Sequence, residues 1–155
     1  MTWPKLKEKI YIEDGSFRDI YIQNISIQDW ENWVNLVNAN FTIAWYNPLS
    51  EKSESKIDFQ VIKAYWAGEH DYCSTASIFI GAAKINCHFF EALEIENDID
   101  PREFNNMQDH LKLMDYLKLI SKTLGKTVIL CPENMPESVL INIHNQGIDA
   151  WDEIG

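Results

Sequence analysis

The sequence predicts a single α+β (mixed α/β) domain over residues 1–155, with one mostly antiparallel sheet covered by helices on one face. Short apolar–polar alternations recur between turn signals, and apolar residues also recur at helical spacing in three longer segments. The two kinds of segment are interspersed rather than strictly alternating, in the order β-β-α-β-α-β-β-β-α-β-β. With 155 residues, 46% of them hydrophobic, the chain is long enough for one core that removes roughly 70% of the unfolded surface from water.

The elements follow in chain order. Residues 9–13 alternate Ile10 and Ile12 with polar neighbours, and residues 18–25 do the same with Ile20, Ile22 and Ile25. Asp14-Gly15 between them is hairpin chemistry, because glycine supplies the positive φ that such a turn requires. Ser26 is placed to cap a helix over 26–37, whose stripe is Ile27, Trp30, Trp33, Val34 and Val37. Trp30 and Trp33 read as core on that stripe rather than as a binding pair. Residues 41–46 form a third strand, stopped at Asn47-Pro48, and residues 50–56 are a polar surface loop. Ile57, Val61, Ile62, Tyr65 and Trp66 fit a helix ended near Gly68; a hairpin with Phe59, Val61 and Tyr65 on one face is the alternative.

Residues 74–80 and 84–90 are strands joined by Gly81-Ala82-Ala83. Residues 91–100 then alternate Leu93, Ile95 and Ile99, facing the core, with Glu94, Glu96, Asp98 and Asp100 on the other side. Asp100-Pro101 opens a helical region that runs to Leu124, with Leu113, Tyr116, Leu117, Ile120 and Leu124 buried and Gly125 as its end. Residues 127–131 make a strand of the kind buried on both faces, 132–136 a turn, and 139–143 a last strand before a polar tail with Trp151.

Charge narrows the function. With 24 acidic against 13 basic residues the net charge is -11, which disfavours nucleic acid and anionic membranes and favours a basic partner or simple solubility. The opening residues lack the apolar core of a signal peptide and no apolar run approaches the ~20 residues of a membrane span, so a cytoplasmic protein is expected. Cys73, Cys87 and Cys131, odd in number and in apolar settings, fit buried, reduced thiols.

No catalytic or cofactor signature is present, and no cofactor is implied. His70, Cys73, Cys87 and His88 superficially resemble four zinc ligands. Cys87 and His88 are neighbours on a strand, however, so their side chains point to opposite faces, and paired Cys-x-x-Cys spacing is missing. Cys131, ending an apolar strand, has a thiol pushed up in pKa rather than activated. The carboxylate row remains. Alternate strand residues lie about 6.6 Å apart, too far for neighbours to share one small ion. The row is therefore either a solvated or edge-protecting strand face, or a recognition face for a basic cleft built for phosphates.

Several segments together carry a resemblance: residues 11–21, a Trp-bearing helix, Cys87-His88-Phe89-Phe90 leading into the row, and Leu124-Gly125-Lys126 before a strand ending Pro132-Glu133-Asn134. The chain resembles small, acidic bacterial immunity proteins, which neutralise polymorphic or contact-dependent toxins. That resemblance implies a non-enzymatic protein that binds one toxin domain, often a basic nuclease; the residues expected to meet such a partner, Glu94, Glu96, Asp98 and Asp100, are those of the carboxylate row read above. Two other readings stand beside it. One is a small enzyme or ligand-binding domain with a pocket between sheet and helix, using His88 or His110 with a nearby acid; the other is an acidic adaptor module.

Overall fold

A computed structural model describes residues 2–144 and the backbone of 147–149; the expected polar tail with Trp151 lies outside the described residues. The chain begins with a helix, α1 (Trp3–Lys9), where a strand over 9–13 was expected. Pro4 stands in its first turn, where a missing N–H is harmless, and the lysines and Glu8 that follow are good helix formers. Ile10 and Tyr11 are both buried and Ile12 is exposed, so the apparent alternation does not describe a strand. The turn chemistry at Asp14 is real, since its Oδ1 accepts from the Ser16 N–H and hydroxyl at 2.9 and 2.6 Å, but it joins a helix to a strand.

The following elements are β1 (Arg18–Gln23), α2 (Ile27–Asn40), β2 (Thr42–Asn47), β3 (Lys52–Glu54) and α3 (Phe59–Trp66). Ser26 caps α2 in a reciprocal capping box with Asp29, and Asp58 caps α3, which settles residues 59–66 as helix. The short strand β3 falls in the expected loop. Next come β4 (Thr75–Ile80), β5 (Ala83–His88), β6 (Glu94–Ile99), α4 (Met107–Leu124), β7 (Val128–Pro132), β8 (Ile141–His144) and β9 (Gly147–Asp149). Asp100 and Pro101 start only a single 3₁₀ turn, Pro101–Glu103; α4 begins afresh under an Asn106 cap and ends at Gly125 in the left-handed region.

Among the described residues these strands form one antiparallel sheet in the order β3-β2-β4-β5-β6-β1-β7-β8-β9. The acidic strand β6 is thus central, and the edge-strand alternative falls. Register assigns the faces. Ile20, Ile22, Ile95, Asn97, Ile99, Cys87 and Leu130 share the inner face, on which the helices lie. Trp30, Trp33, Trp66 and Phe89 form an aromatic cluster there, with the two tryptophans of α2 fully buried. Deeper in the core, the Tyr116 hydroxyl donates to Asn97 Oδ1 at 2.6 Å and accepts from Trp33 Nε1 at 3.2 Å.

Candidate functional site

Among the described residues, the other face of the sheet carries no helix. Strand alternation delivers to it Asp19 and Tyr21 from β1, Asn86 and His88 from β5, and Glu94, Glu96 and Asp98 from β6. Leu93 does not join the core as expected: β6 starts one residue later and Leu93 is 69% exposed, its carbonyl accepting from the Ile25 N–H.

The four residues of the acidic row meet different fates. Glu94 accepts from Gln23 Nε2 at 3.1 Å near the end of the strand. Asp98 is engaged on both oxygens, by Asn86 Nδ2 at 2.9 Å and by His88 Nε2 at 2.5 Å. Asp100 turns away to cap the 3₁₀ turn and to bind the Arg102 guanidinium, which holds its carboxyl below the usual range. Glu96 forms no ion pair among the described residues. The row is therefore not an even field of four charges, and only Glu96 and Asp98 share one concavity.

Two further carboxylates come from outside the row. Asp19 is the direct cross-strand neighbour of Asp98. Residues 133–138 fold back over β7, placed by Cys131 Sγ against the Pro136 carbonyl and by Asn134, which adopts a positive φ of 59° that asparagine tolerates. Glu133 accepts from the Phe17 N–H at 2.8 Å, and the Asn134 N–H donates to Asp19 Oδ2 at 2.8 Å. The result is an open cavity of about 300 Å³, floored by Asp19, Glu96, Asp98 and His88 and walled by Phe17, Phe90, Glu133 and Asn134.

Electrostatics in this cavity follow from crowding of like charge. Burial raises the pKa of Asp19, the hydrogen bonds from Asn134 and Tyr21 oppose the rise, and the charges of Asp98 and Glu133 add to it. Glu96 is also raised, first by burial and then by Asp19, with His88 pulling the other way. His88 is raised above its ordinary value chiefly by its hydrogen bond to Asp98, against the effect of burial. Its Nδ1 lies 3.3 Å from Thr75 Oγ1 and its ring stacks on Phe90 at 5.1 Å, so the imidazole is fixed on three sides.

The remaining sequence candidates lie elsewhere. His110 is buried on α4, with Nδ1 2.7 Å from the Tyr11 hydroxyl, far from the helix-free face. Cys87 is on the inner face and His88 on the outer, as alternation requires, and His70 bonds the Val61 carbonyl. No group of three or more His, Cys, Asp or Glu among the described residues is arranged to hold a metal ion. Cys73 is exposed, contrary to expectation, whereas Cys131 is buried with its thiol pushed up to about 11. No helix among the described residues is long and apolar enough to cross a membrane. Asp19 and Glu133 escaped sequence reasoning because they lie far in the chain from the row and from each other, and in an alternating strand such as Arg18–Gln23 an acidic residue on the polar side gives no signal of its own. Compared with known proteins, the chain matches no family model, no curated protein and no solved structure.

Proposed function

We propose that this chain is a non-enzymatic, cytoplasmic binding protein of the immunity kind, which neutralises a basic bacterial toxin domain through the helix-free face of its sheet. The observation that carries this reading is the concentration of Asp19, Glu96, Asp98 and Glu133 on one uncovered face, in a chain of net charge -11. Such a face repels nucleic acid and steers a basic protein toward it, so association is fast at low salt and slows as salt is added. Exposed Phe90 and Leu93 at its border supply apolar contact, the usual source of anchoring energy beside steering charges.

Affinity capture from the source cell at low and high salt tests the proposal, a basic toxin domain retained at low salt being the expected result. A charge-reversed variant sharpens it. Glu94→Lys with Glu96→Lys is the pair to use, because Asp98 and Asp100 hold His88 and a helical cap and their loss would disturb the fold. Association at low salt should fall about tenfold or more with thermal stability retained; an unchanged rate removes the face from the mechanism.

The His88–Asp98 pair beside a cavity favours one second reading, a small-ligand or acid–base site. None of the residues lining the cavity carries a hydroxyl or thiol, so any covalent chemistry there would fall to a carboxylate or to His88. Loss of partner capture in His88→Gln without loss of stability fits either reading; turnover of a small substrate abolished by the same change would select the second.

A further inference from the structure

We infer that the aromatic hollow between the end of α3 and the β5–β6 connection receives an arginine side chain of the partner protein, its guanidinium lying against the uncovered face of Phe90. This rests on the binding-face reading above and names one contact through which the partner is held. The hollow is open, about 370 Å³ in volume, and its walls include Tyr65 and Trp66 of α3, His70 and Phe90, with the exposed Asp71 and Glu91 at its rim. The first support is an unused ring face. Phe90 borders both this hollow and the acidic cavity, whereas its stacking partner His88 borders only the acidic cavity. The imidazole, 5.1 Å away and tilted by 8°, covers one face of Phe90, so the other is turned toward the hollow. Phe90 is 58% exposed, as are to a similar degree Tyr72, which stacks on His70, and Leu93, at the end of the same connection. Large apolar side chains gathered at the surface in this way mark a docking site.

The walls are fixed before any guest arrives. Trp66 Nε1 donates to the Phe89 carbonyl at 3.0 Å and Trp30 Nε1 to the Glu91 carbonyl at 3.1 Å, so the backbone on both sides of Phe90 is tied to the core. His70 Nε2 lies 2.9 Å from the Val61 carbonyl while its Nδ1 accepts from the Tyr72 N–H at 3.2 Å, the hydrogen-bond pattern of a neutral ring. Ordered aromatic surface of this kind costs little conformational entropy on binding.

Charge selects a cation. Asp71 and Glu91 take part in none of the ion pairs among the described residues. Gly68, at a positive φ of 79°, closes α3 at the wall of the hollow and leaves the negative end of the helix dipole beside it. Lys63 of the same helix sits over Phe59 at 5.6 Å and does not line the hollow. Aromatic ring faces are themselves negative. Among cations, guanidinium is planar, stacks flat on a ring and keeps its edge N–H groups for carboxylates at the rim. Ammonium is compact and strongly hydrated, and a quaternary ammonium has no N–H to donate.

The test is a titration of the full chain followed by amide NMR, with N-acetyl-arginine methylamide as probe. Its lysine and norleucine counterparts, tetramethylammonium and a ten-residue oligolysine serve as comparisons. Saturable shifts are expected at Gly68, Asp71 and Ala92 with the arginine probe, several-fold tighter than with the lysine probe. Phe90→Leu, at an exposed position where folding is not at stake, keeps an apolar side chain without the ring and should erase that preference. Asp71→Asn should weaken the arginine probe about threefold, the loss of one exposed charge contact, and Glu8→Gln on α1 should leave it unchanged. Equal or tighter binding of the lysine, norleucine or tetramethylammonium probe overturns guanidinium recognition, as does a preference retained in Phe90→Leu. Arginine-probe shifts confined to Glu133 and Asn134 overturn the choice of the hollow. Oligolysine shifts on the helix-free face without arginine-probe shifts at the hollow overturn the arginine contact and leave the binding face standing. Absence of shifts from every probe overturns both.

Discussion

Replacing Tyr116 by Phe removes one hydroxyl from the centre of the core and nothing else. That hydroxyl links Asn97 Oδ1, 2.6 Å away, to Trp33 Nε1, 3.2 Å away, and so ties β6, α4 and α2 together. All three residues are fully buried, and Asn97 Nδ2 already lacks a partner, facing the Cys87 thiol of the neighbouring strand. In Tyr116→Phe an acceptor and a donor are stranded out of reach of water, each costing ~1–3 kcal/mol, so a total loss of about 2–4 kcal/mol is expected after partial relaxation. Urea unfolding followed by tryptophan fluorescence should show the midpoint fall by about 1–2 M at an unchanged slope, for a slope near 2 kcal/mol per M. Adding Asn97→Leu, of similar shape, removes the stranded amide as well and should restore about 1 kcal/mol or more. A loss below about 0.5 kcal/mol in the single variant, or a second loss in the double variant, would refute the view that unsatisfied polar groups dominate this region.

The site and the core each supply further tests. Because His88 is raised in the folded state, its contribution is fully present below the unfolded value of 6.5 and is lost as pH rises through the folded value. Stability should therefore decline above pH 6.5, and Asp98→Asn should flatten that slope and bring the His88 NMR titration down, since burial is then opposed only by the charges of Glu96 and Asp19. Glu96, raised by burial and by Asp19, opposes folding once ionised, so Glu96→Gln should raise the melting temperature at pH 7, and the gain should vanish at acid pH where Glu96 is protonated in both states. Phe89→Ala, within the tryptophan cluster, should cost about 3–5 kcal/mol in chemical unfolding.

Local chemistry was legible in the sequence where it acts locally. The capping box at Ser26, the α4 stripe ending at Gly125, the β4–β5 hairpin and the opposite-facing Cys87 and His88 each depend on spacing along a few residues. The same reasoning misread residues 9–13, because Ile10 and Ile12 fit a period of two whereas α1 and its turn bury Ile10 and Tyr11 side by side. It also ran α4 back to Asp100, where a cap and a proline serve a single 3₁₀ turn equally well. The carboxylate row was visible, and so was its placement on the face away from Ile95 and Ile99.

What the row does electrostatically was decided only by tertiary structure. Strand order puts β1 beside β6, so Asp19 lies against Asp98 from 79 positions away, and the 133–138 segment brings Glu133 and the Asn134 N–H over both. Composition and alternation determine which face of a strand is polar, because side-chain direction has a period of two. They do not determine which strands are neighbours, and a carboxylate's hydrogen bonds and charge environment depend on neighbours within a few ångströms in space. For that reason the acidic strand could be read from residues 94–100, whereas the cavity that gives Glu96 and Asp19 their common setting exists only once the chain is folded.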